Sequence, residues 1–364
     1  MKILIYDLQS TGHHSEYVQH LLSNCPTDVD VFFAISKKIE QHLRISDSLN
    51  NLELPFLESE SNREKEINWI KEKVKELEID TVFFLNIDPY LSYLNKINNG
   101  QIKINGIWFH PTHRIPWFSR IDIGQQVKNI GKKIRAQVQI GRLRYMGNRL
   151  NIFILDDKEG VEYLNQQYNI SFQYLPDPIN LAKVELEEEG HRKAKKKSIL
   201  LFGSIIPRKN LEALINVIGK EKLLDWTFNI IGKGKEQYVS KLRQLSIDIP
   251  NINIENEFVP NDKMEKLFAE CDIVMMVYKN FFGSSGVLGR AAKYGKKVVV
   301  SQGGLIGHLV EKYSLGIAIK SNYKNLAISL KRMEELNKET RYNDYLADKT
   351  PENFTNTIYN SLND

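Results

Sequence analysis

Short apolar runs alternate with amphipathic stretches along the whole chain. In the first half, apolar runs of strand length fall at residues 2–6, 29–35, 79–85, 104–109 and 151–155, and helical spacing falls at 15–22, 62–77 and 158–167. In the second half, the strands are expected at 199–202, 227–231, 252–254, 273–277 and 298–300, and the helices at 211–218, 236–245 and 262–271. This alternation predicts two successive α/β domains, each a doubly wound, Rossmann-like parallel sheet covered on both faces.

Proline and charge mark the boundary between these domains. Residues 172–178 read as an extended, proline-fixed segment that ends the first half. Residues 185–197 are dense in acidic and then basic side chains, without apolar periodicity. We therefore expect a first domain over residues 1–180, a charged linker over 181–197 and a second domain over 198–349. The segment 350–364 begins with a helix signal and can dock on either domain; we assign it to the first.

Charge, cysteine content and hydropathy indicate which ligands and which cellular compartment suit the protein. The net charge is +5, which suits an anionic ligand or a membrane surface but is too weak to indicate nucleic acid. Cys25 and Cys271 are far apart and read as free thiols of a reducing compartment. No apolar run approaches the roughly 18–20 residues of a spanning helix. A cytoplasmic protein is expected, with a peripheral position at the inner face of the membrane as an option.

Residues 126–150 are unusually basic. They carry seven lysines and arginines and no acidic residue, and apolar residues recur among them at partly helical spacing. The pattern indicates a membrane-surface helix or a patch for an anionic acceptor. A solvated basic helix is the alternative, because Gly131 and Gly141 interrupt the pattern.

Two small-residue turns are candidates for phosphate binding. Residues 283–286 form a Gly-Ser-Ser-Gly loop between a strand and a helix, where free backbone N–H groups can bind phosphate or can simply begin an ordinary helix. After an earlier strand, Gly203 precedes Arg208 and Lys209 at the expected start of a helix. Cations are unfavourable beside the positive end of a helix dipole unless an anion such as a diphosphate is bound between them. The alternative is that both cations face solvent.

Four of the eight histidines lie on predicted loops of the first domain: His13, His14, His110 and His113. Loop histidines near a crevice can orient a sugar hydroxyl or transfer a proton. Single loop histidines are otherwise ordinary exposed polar residues. The sequence contains no P-loop, no dinucleotide fingerprint after the first strand, no zinc motif and no nucleophile elbow.

The order of motifs in the second domain resembles the donor half of a GT-B glycosyltransferase, closest to glycosyltransferase family 4. The matching pieces are residues 201–203 with Arg208 and Lys209, then 230–234, 258–260, 271–274, 291–299 and 309–311. The resemblance covers residues 198–320 well, and the first domain loosely through Gly12 and His110. It implies two Rossmann-like domains facing a cleft. It also implies a retaining transferase that uses a nucleotide-diphosphate sugar without metal or cofactor, on a glycan or lipid-linked acceptor of cell-surface polysaccharide biosynthesis.

The resemblance also implies roles for individual residues. Arg208 and Lys209 would hold the diphosphate, with His110 beside the transferred sugar. The other donor contacts would be Gly12, Gly203, Phe258, Val259, Ser284, Ser285, Gly286, Val287 and Arg290. The remaining loop residues on the acceptor side would be His13, His14, His113 and Arg114.

The sequence departs from the family pattern at one important place. The family's paired glutamates, eight positions apart, would fall at Phe282 and Arg290. Arg290 suggests altered nucleotide recognition or an extra phosphate contact. The missing carboxylates motivate a second hypothesis, a non-catalytic partner protein that binds nucleotide or glycan. Sugar transfer to nucleic acid is a third hypothesis, suggested by residues 126–150, although no nucleic acid partner is expected.

Overall fold

The computed structural model describes residues 1–10, 12–43, 50–56, 62–97, 102–117, 123–182, 197–335 and 339–363. These form two compact units, the first made of Met1–Pro178 with Thr350–Asp364 and the second of Ile179–Lys349. Residues 183–196, most of the linker expected from the sequence, lie outside the described residues.

The first unit is built on a parallel seven-stranded sheet in the order β3-β2-β1-β4-β5-β6-β7. Its strands are β1 Lys2–Asp7, β2 Asp30–Ile35, β3 Asn50–Asn51, β4 Thr81–Phe84, β5 Lys103–Ile107, β6 Leu150–Leu155 and β7 Ser171–Leu175. Its helices are α1 His14–Ser23, α2 Lys37–Leu43, α3 Arg63–Leu77, α4 Leu94–Ile97, α5 Ile123–Arg142 and α6 Lys158–Gln167. A last helix from the chain end, α14 Pro351–Asn363, joins this unit.

The second unit has a parallel six-stranded sheet in the order β10-β9-β8-β11-β12-β13. Its strands are β8 Lys197–Phe202, β9 Trp226–Gly232, β10 Ile252–Asn256, β11 Ile273–Met276, β12 Lys297–Ser301 and β13 Gly316–Ile319. Its helices are α7 Leu211–Glu221, α8 Glu236–Leu245, α9 Asn261–Glu270, α10 Gly286–Lys293, α11 Gly304–Lys312, α12 Leu326–Glu334 and α13 Tyr342–Leu346.

Both sheets are buried on both faces, which is why their strands read as unbroken apolar runs. In β1, Ile3 and Ile5 pack into one core cluster, whereas Leu4 and Tyr6 pack into another on the opposite face. Successive side chains of a strand point to opposite faces, so one short run supplies two cores. The expected α/β class with two doubly wound sheets is confirmed.

Each sheet has a point at which its strand order reverses. In the first unit, β1 lies between β2 and β4; in the second, β8 lies between β9 and β11. The loops that leave the two central strands on either side of such a point diverge and leave a crevice at the carboxyl edge. The turns that follow β1, β4, β8 and β11 are therefore the places to look for a site.

Two segments singled out in the sequence have clear positions in the first unit. Residues 172–178 include the end of β7, which pairs with β6 and completes the sheet just before the main segment of this unit ends at Pro178. Gly131 and Gly141 interrupt the apolar pattern of the basic segment but not its helix, since α5 runs through both. A Cβ atom at either glycine would meet nothing within 4 Å, so neither marks a close approach of backbones.

Candidate active site

The backbones of the turns after β8 and β9 are in close contact. Gly203 has a positive φ of 94°, and a Cβ atom at Gly232 would lie 2.2 Å from the Gly203 carbonyl oxygen. Two residues further along, a bridge joins Ile205 to Gly234, and a Cβ atom at Gly234 would lie 2.5 Å from the Ile205 carbonyl oxygen. The glycines are therefore needed for close packing, and they fix the path of the chain that carries the cations.

Arg208 lies where the turn after β8 contacts the loop after β11. It belongs to a 3-10 turn, Pro207–Lys209, and α7 begins at Leu211, the predicted first residue, so the cations lie immediately before the helix. The guanidinium lies 4.5 Å from the centroid of the Phe281 ring and 5.7 Å from that of Tyr278, both on the loop after β11. The Arg208 carbonyl also accepts the Lys279 amide at 2.8 Å.

Lys209 points back towards the end of β8. Its ammonium donates a hydrogen bond to the Phe202 carbonyl and lies 5.9 Å from the centroid of the Tyr278 ring. Burial, and then the neighbouring Arg208 charge, lower the pKa of Lys209 to about 7. Burial also lowers the pKa of Arg208. No carboxylate among the described residues forms an ion pair with either cation, so this position favours an anion.

Helix α10 begins beside these cations. Ser285 precedes its first residue but makes no capping hydrogen bond with its side chain. The hydroxyl instead interacts with Tyr278, whose ring also approaches Arg208. The first amides of a helix have no intrahelical acceptor, so those of Gly286 and Val287 are available to an anion. Ser284 is partly exposed at the same turn.

Phe258 lies beyond the carboxyl end of β10, farther along the same edge of the sheet. It follows the end of β10 by two residues, and 78% of its surface is exposed. Val259, beside it, is partly buried against the core. An exposed aromatic ring at a carboxyl strand end is suited to stacking on a planar ligand group.

In the first unit, the turn after β1 carries Gly12, with a φ of 79°, and two histidines. His14 is not on a loop as expected; it is the first residue of α1 and is buried. Its Nδ1 lies 2.6 Å from the Asp7 carboxylate, and its ring stacks on Phe109 at 5.4 Å. His13 is more exposed, with Nδ1 3.6 Å from the Glu16 carboxylate.

His110 lies on the turn after β5, next to Phe109. The Asp88 carboxylate accepts the Phe109 amide at 2.8 Å and the His110 amide at 3.1 Å, and it lies 3.2 Å from His110 Nδ1. The His110 side chain is 72% exposed. Asp88 therefore fixes the backbone of this turn and leaves most of the imidazole accessible.

His113 and Arg114 are held by a buried carboxylate. Asp157 lies 2.7 Å from His113 Nε2 and accepts both Nε and Nη2 of Arg114. Burial by itself would raise the pKa of Asp157, but the hydrogen bonds and charges of Arg114 and His113 hold it well below its usual range. Only 6% of the His113 side chain is exposed. Both side chains thus brace the start of α6, and little of either is exposed for the acceptor contact predicted for them.

Residues 196–335 match the family model for glycosyl transferases, group 1. The second unit is a group 1 glycosyl transferase domain. Sucrose-phosphate synthase from Thermosynechococcus elongatus is similar over the whole chain, at 12% identity and a TM-score of 0.67, with 99% of this chain and 94% of that chain covered. Anabaena HepE in complex with UDP and glucose is 13% identical, with a TM-score of 0.67 and coverage of 100% and 99%. WaaG, a glycosyltransferase involved in lipopolysaccharide biosynthesis, is 14% identical, with a TM-score of 0.61 and coverage of 100% and 94%.

These likenesses establish the GT-B fold for the chain. No curated protein matches the sequence. Within the described parts of the chain, no group of three histidine, cysteine or acidic side chains could hold a metal ion. Across those same ranges, no helix is long and apolar enough to cross a membrane.

In this glycosyl transferase domain the loop after β11 carries no carboxylate, since residues 273–310 contain no acidic residue. Phe282 is fixed by its backbone, whose carbonyl accepts the Leu305 amide at 3.1 Å. Arg290 lies in α10 and is partly buried. The ring that faces Arg208 belongs to Phe281, so the group that contacts the cation from this loop is aromatic.

Sequence reasoning missed the residues that hold the site in place. Three of them are carboxylates that support a histidine: Asp7, Asp88 and Asp157. Each lies at or shortly after the end of an apolar strand or the turn that follows it, a pattern visible in the sequence. The aromatic contacts of Arg208 gave no such signal, because their rings are separated from it by about seventy residues of chain.

Proposed function

We propose that this protein transfers a sugar from a nucleotide-diphosphate sugar to a glycan or lipid-linked acceptor in cell-surface polysaccharide biosynthesis. The proposal includes retention of anomeric configuration, no metal or cofactor, and a cytoplasmic location at the inner face of the membrane. The observation that carries it is the pair Arg208 and Lys209, which have no described carboxylate partner and lie beside the open end of α10.

In this reaction the bond between the anomeric carbon and the diphosphate oxygen breaks. The acceptor oxygen forms the new bond to that carbon, and its proton leaves with the diphosphate. Negative charge grows on the departing diphosphate, so cations and amides already aimed at it stabilise the transition state. Arg208, Lys209 and the amides of Gly286 and Val287 supply these groups.

The nucleotide base would stack on the exposed ring of Phe258. Uracil is the first base to test, because a structure with the same fold, that of HepE, contains UDP and glucose. Gly203 and Gly232 would let the backbone approach the donor closely.

From the first unit, we propose His110 as the residue beside the transferred sugar, because its imidazole is accessible while Asp88 holds its backbone. Gly12 and His13 remain proposed contacts of donor and acceptor. We give His14, His113 and Arg114 a supporting role instead, since each is bound to a buried carboxylate.

Substitution of Arg208 tests the diphosphate assignment. We expect Arg208→Ala to weaken UDP binding, measured by calorimetry, by roughly 10- to 100-fold, the value of a charge-assisted hydrogen bond. Binding of UMP should change much less. Arg243→Ala is the matched control, because Arg243 is an exposed arginine of the same unit that pairs with Glu236. Unchanged UDP affinity in Arg208→Ala would remove the assignment.

The missing carboxylates keep a second candidate function in view, that of a non-catalytic partner protein that binds nucleotide or glycan. The two candidates differ in turnover. Purified protein is incubated with a panel of nucleotide sugars and acceptor extracts, and release of nucleoside diphosphate is measured. Binding without release would favour the partner protein, whereas release that Arg208→Ala abolishes would favour the transferase.

A further inference from the structure

Helix α5 carries an apolar stripe that faces solvent. Val127, Ile134 and Val138 are exposed to 64%, 48% and 47% of their surface. Their spacings of seven and four residues place them in one line along a helix of 3.6 residues per turn. Tyr145, on the turn that follows the helix, is 59% exposed. These four residues are the exposed stripe.

The opposite face of α5 fixes the helix to the first unit. Ala136 and Ile140 are buried in its core. The Lys133 ammonium is also directed inwards and donates a hydrogen bond of 2.7 Å to the Ile115 carbonyl. The helix is therefore already anchored by its inner face, and the exposed stripe is not its contact with the protein core.

Cations border the exposed stripe along one side. Lys128, Lys132, Arg135 and Arg142 are all exposed. No acidic residue occurs between residues 123 and 149, and no carboxylate in the described part of the chain pairs with any of these four cations. A helix with an apolar line, a cationic border and no acidic residue has the composition of one that lies in the interface of an anionic bilayer.

We propose that α5 docks the protein on an anionic lipid surface, with its axis parallel to the membrane plane and the exposed stripe among the lipid chains. A second copy of the chain is a poorer occupant, because a two-fold contact would bring this uncompensated positive charge against itself. Duplex nucleic acid would match the charge but would leave the apolar residues in water. The proposal rests on the membrane location included in the proposed function and names the surface responsible, but it does not depend on turnover.

The experiment is sedimentation of the full chain with vesicles of phosphatidylcholine, with and without phosphatidylglycerol. The stripe variant is Val127→Ser with Ile134→Ser and Val138→Ser; the charge variant is Lys128→Gln with Lys132→Gln and Arg135→Gln. Two matched controls alter the second unit. One changes the exposed Leu224, Ile247 and Ile328 to Ser, and the other changes the exposed Lys220, Lys266 and Lys324 to Gln. Circular dichroism confirms that each variant folds.

We expect the parent chain and both controls to bind the anionic vesicles and not the neutral ones. Each α5 variant should bind at least about tenfold more weakly. Four results would overturn the proposal: no binding by the parent, equal binding by the stripe variant, salt-dependent binding to duplex that the stripe variant keeps, or a parent dimer that the stripe variant loses. UDP binding is measured in parallel, so that loss of vesicle binding alone is separated from loss of the proposed transferase function.

Discussion

The two cations at the end of β8 differ in how firmly they keep their charge. Arg208 remains a cation under ordinary conditions, whereas the pKa of Lys209 is lowered to about 7, first by burial and then by the adjacent Arg208. A folded-state pKa below the value of 10.5 for a free lysine means that, between these two values, the unfolded chain binds a proton that the folded chain does not. This residue therefore adds stability to the ligand-free protein as the pH rises above 7.

Binding of a diphosphate should show the opposite dependence on pH. The anion favours charged Lys209, so its affinity is highest below pH 7 and should fall by up to about tenfold per pH unit above it. Calorimetry of UDP binding across this range gives the slope. Lys209→Arg is the control. Its side chain stays charged across this range, so the UDP affinity of this variant changes only through the ionisation of UDP itself. Equal slopes for the parent and this variant would show that Lys209 is not the titrating group.

The Phe281 ring has no polar group, yet it lies against the most exposed cation of the site at 4.5 Å. Such a contact orients a guanidinium by attraction to the face of the ring, and it is worth about 0.5–2 kcal/mol. Phe281 thus keeps Arg208 beside α10, although the loop that carries Phe281 contains no carboxylate.

We expect Phe281→Leu to weaken UDP binding by about 2- to 30-fold through misplacement of Arg208. Phe281→Tyr keeps an aromatic face and should bind UDP like the parent. Calorimetry measures both variants, and urea unfolding checks that neither has lost its fold. In an Arg208→Ala background the Leu substitution should have no further effect on binding. If it does, the ring acts on the ligand by another route.

At the scale of elements, periodicity predicted what depends on local sequence. Helices α6 and α8 lie at the residues expected, 158–167 and 236–245, because each has one apolar stripe and ordinary ends. The 3-10 turn that carries Arg208 was not predicted, since a turn of three residues held by Pro207 has no periodic signal. Helix α5 was expected from residues 126–150 with an interrupted apolar pattern; it is continuous because packing of its inner face outweighs the low helix propensity of its glycines.

Gly131 therefore lowers the stability of α5 without a packing reason. A Cβ atom there meets nothing within 4 Å. We expect Gly131→Ala to raise the free energy of unfolding by about 0.5–1 kcal/mol, measured with urea. Gly160, in α6, is the contrasting position, because a Cβ atom would lie 2.3 Å from His113 Nε2. Gly160→Ala should destabilise the protein, and a similar gain at both positions would contradict this account.

At the scale of the whole molecule, the number of sheets and their class followed from the alternation of apolar runs. The order of the strands could not be predicted, because the sequence of one apolar run does not say which other strand it pairs with. That order decides which loops lie beside each reversal point. Arg208 and Lys209 were found from the sequence because cations are unfavourable at the start of a helix. Their aromatic partners, and the carboxylates behind the histidines, depend on pairings between distant parts of the chain.

The last helix closes the first unit from the far end of the chain. Phe354, Ile358 and Leu362 of α14 are buried in the same cluster as Ile3 and Ile5 of β1. The Phe354 ring lies 4.8 Å from that of Tyr17, and the hydroxyl of Tyr359 donates to the Leu21 carbonyl at 2.8 Å. The first unit therefore cannot be completed until the second unit has been synthesised.

Removal of the Phe354 ring should accordingly destabilise the first unit and spare the second. Phe354→Ala in a core of this kind costs about 3–5 kcal/mol. Hydrogen exchange measures the two sheets within one sample: amides of β1 and β2 should exchange faster, and those of β8 and β9 should exchange as in the parent. Asn360→Ala, at an exposed position of the same helix, controls for the substitution itself. Equal acceleration in both sheets would mean that the two units unfold as one, and that α14 stabilises the chain as a whole.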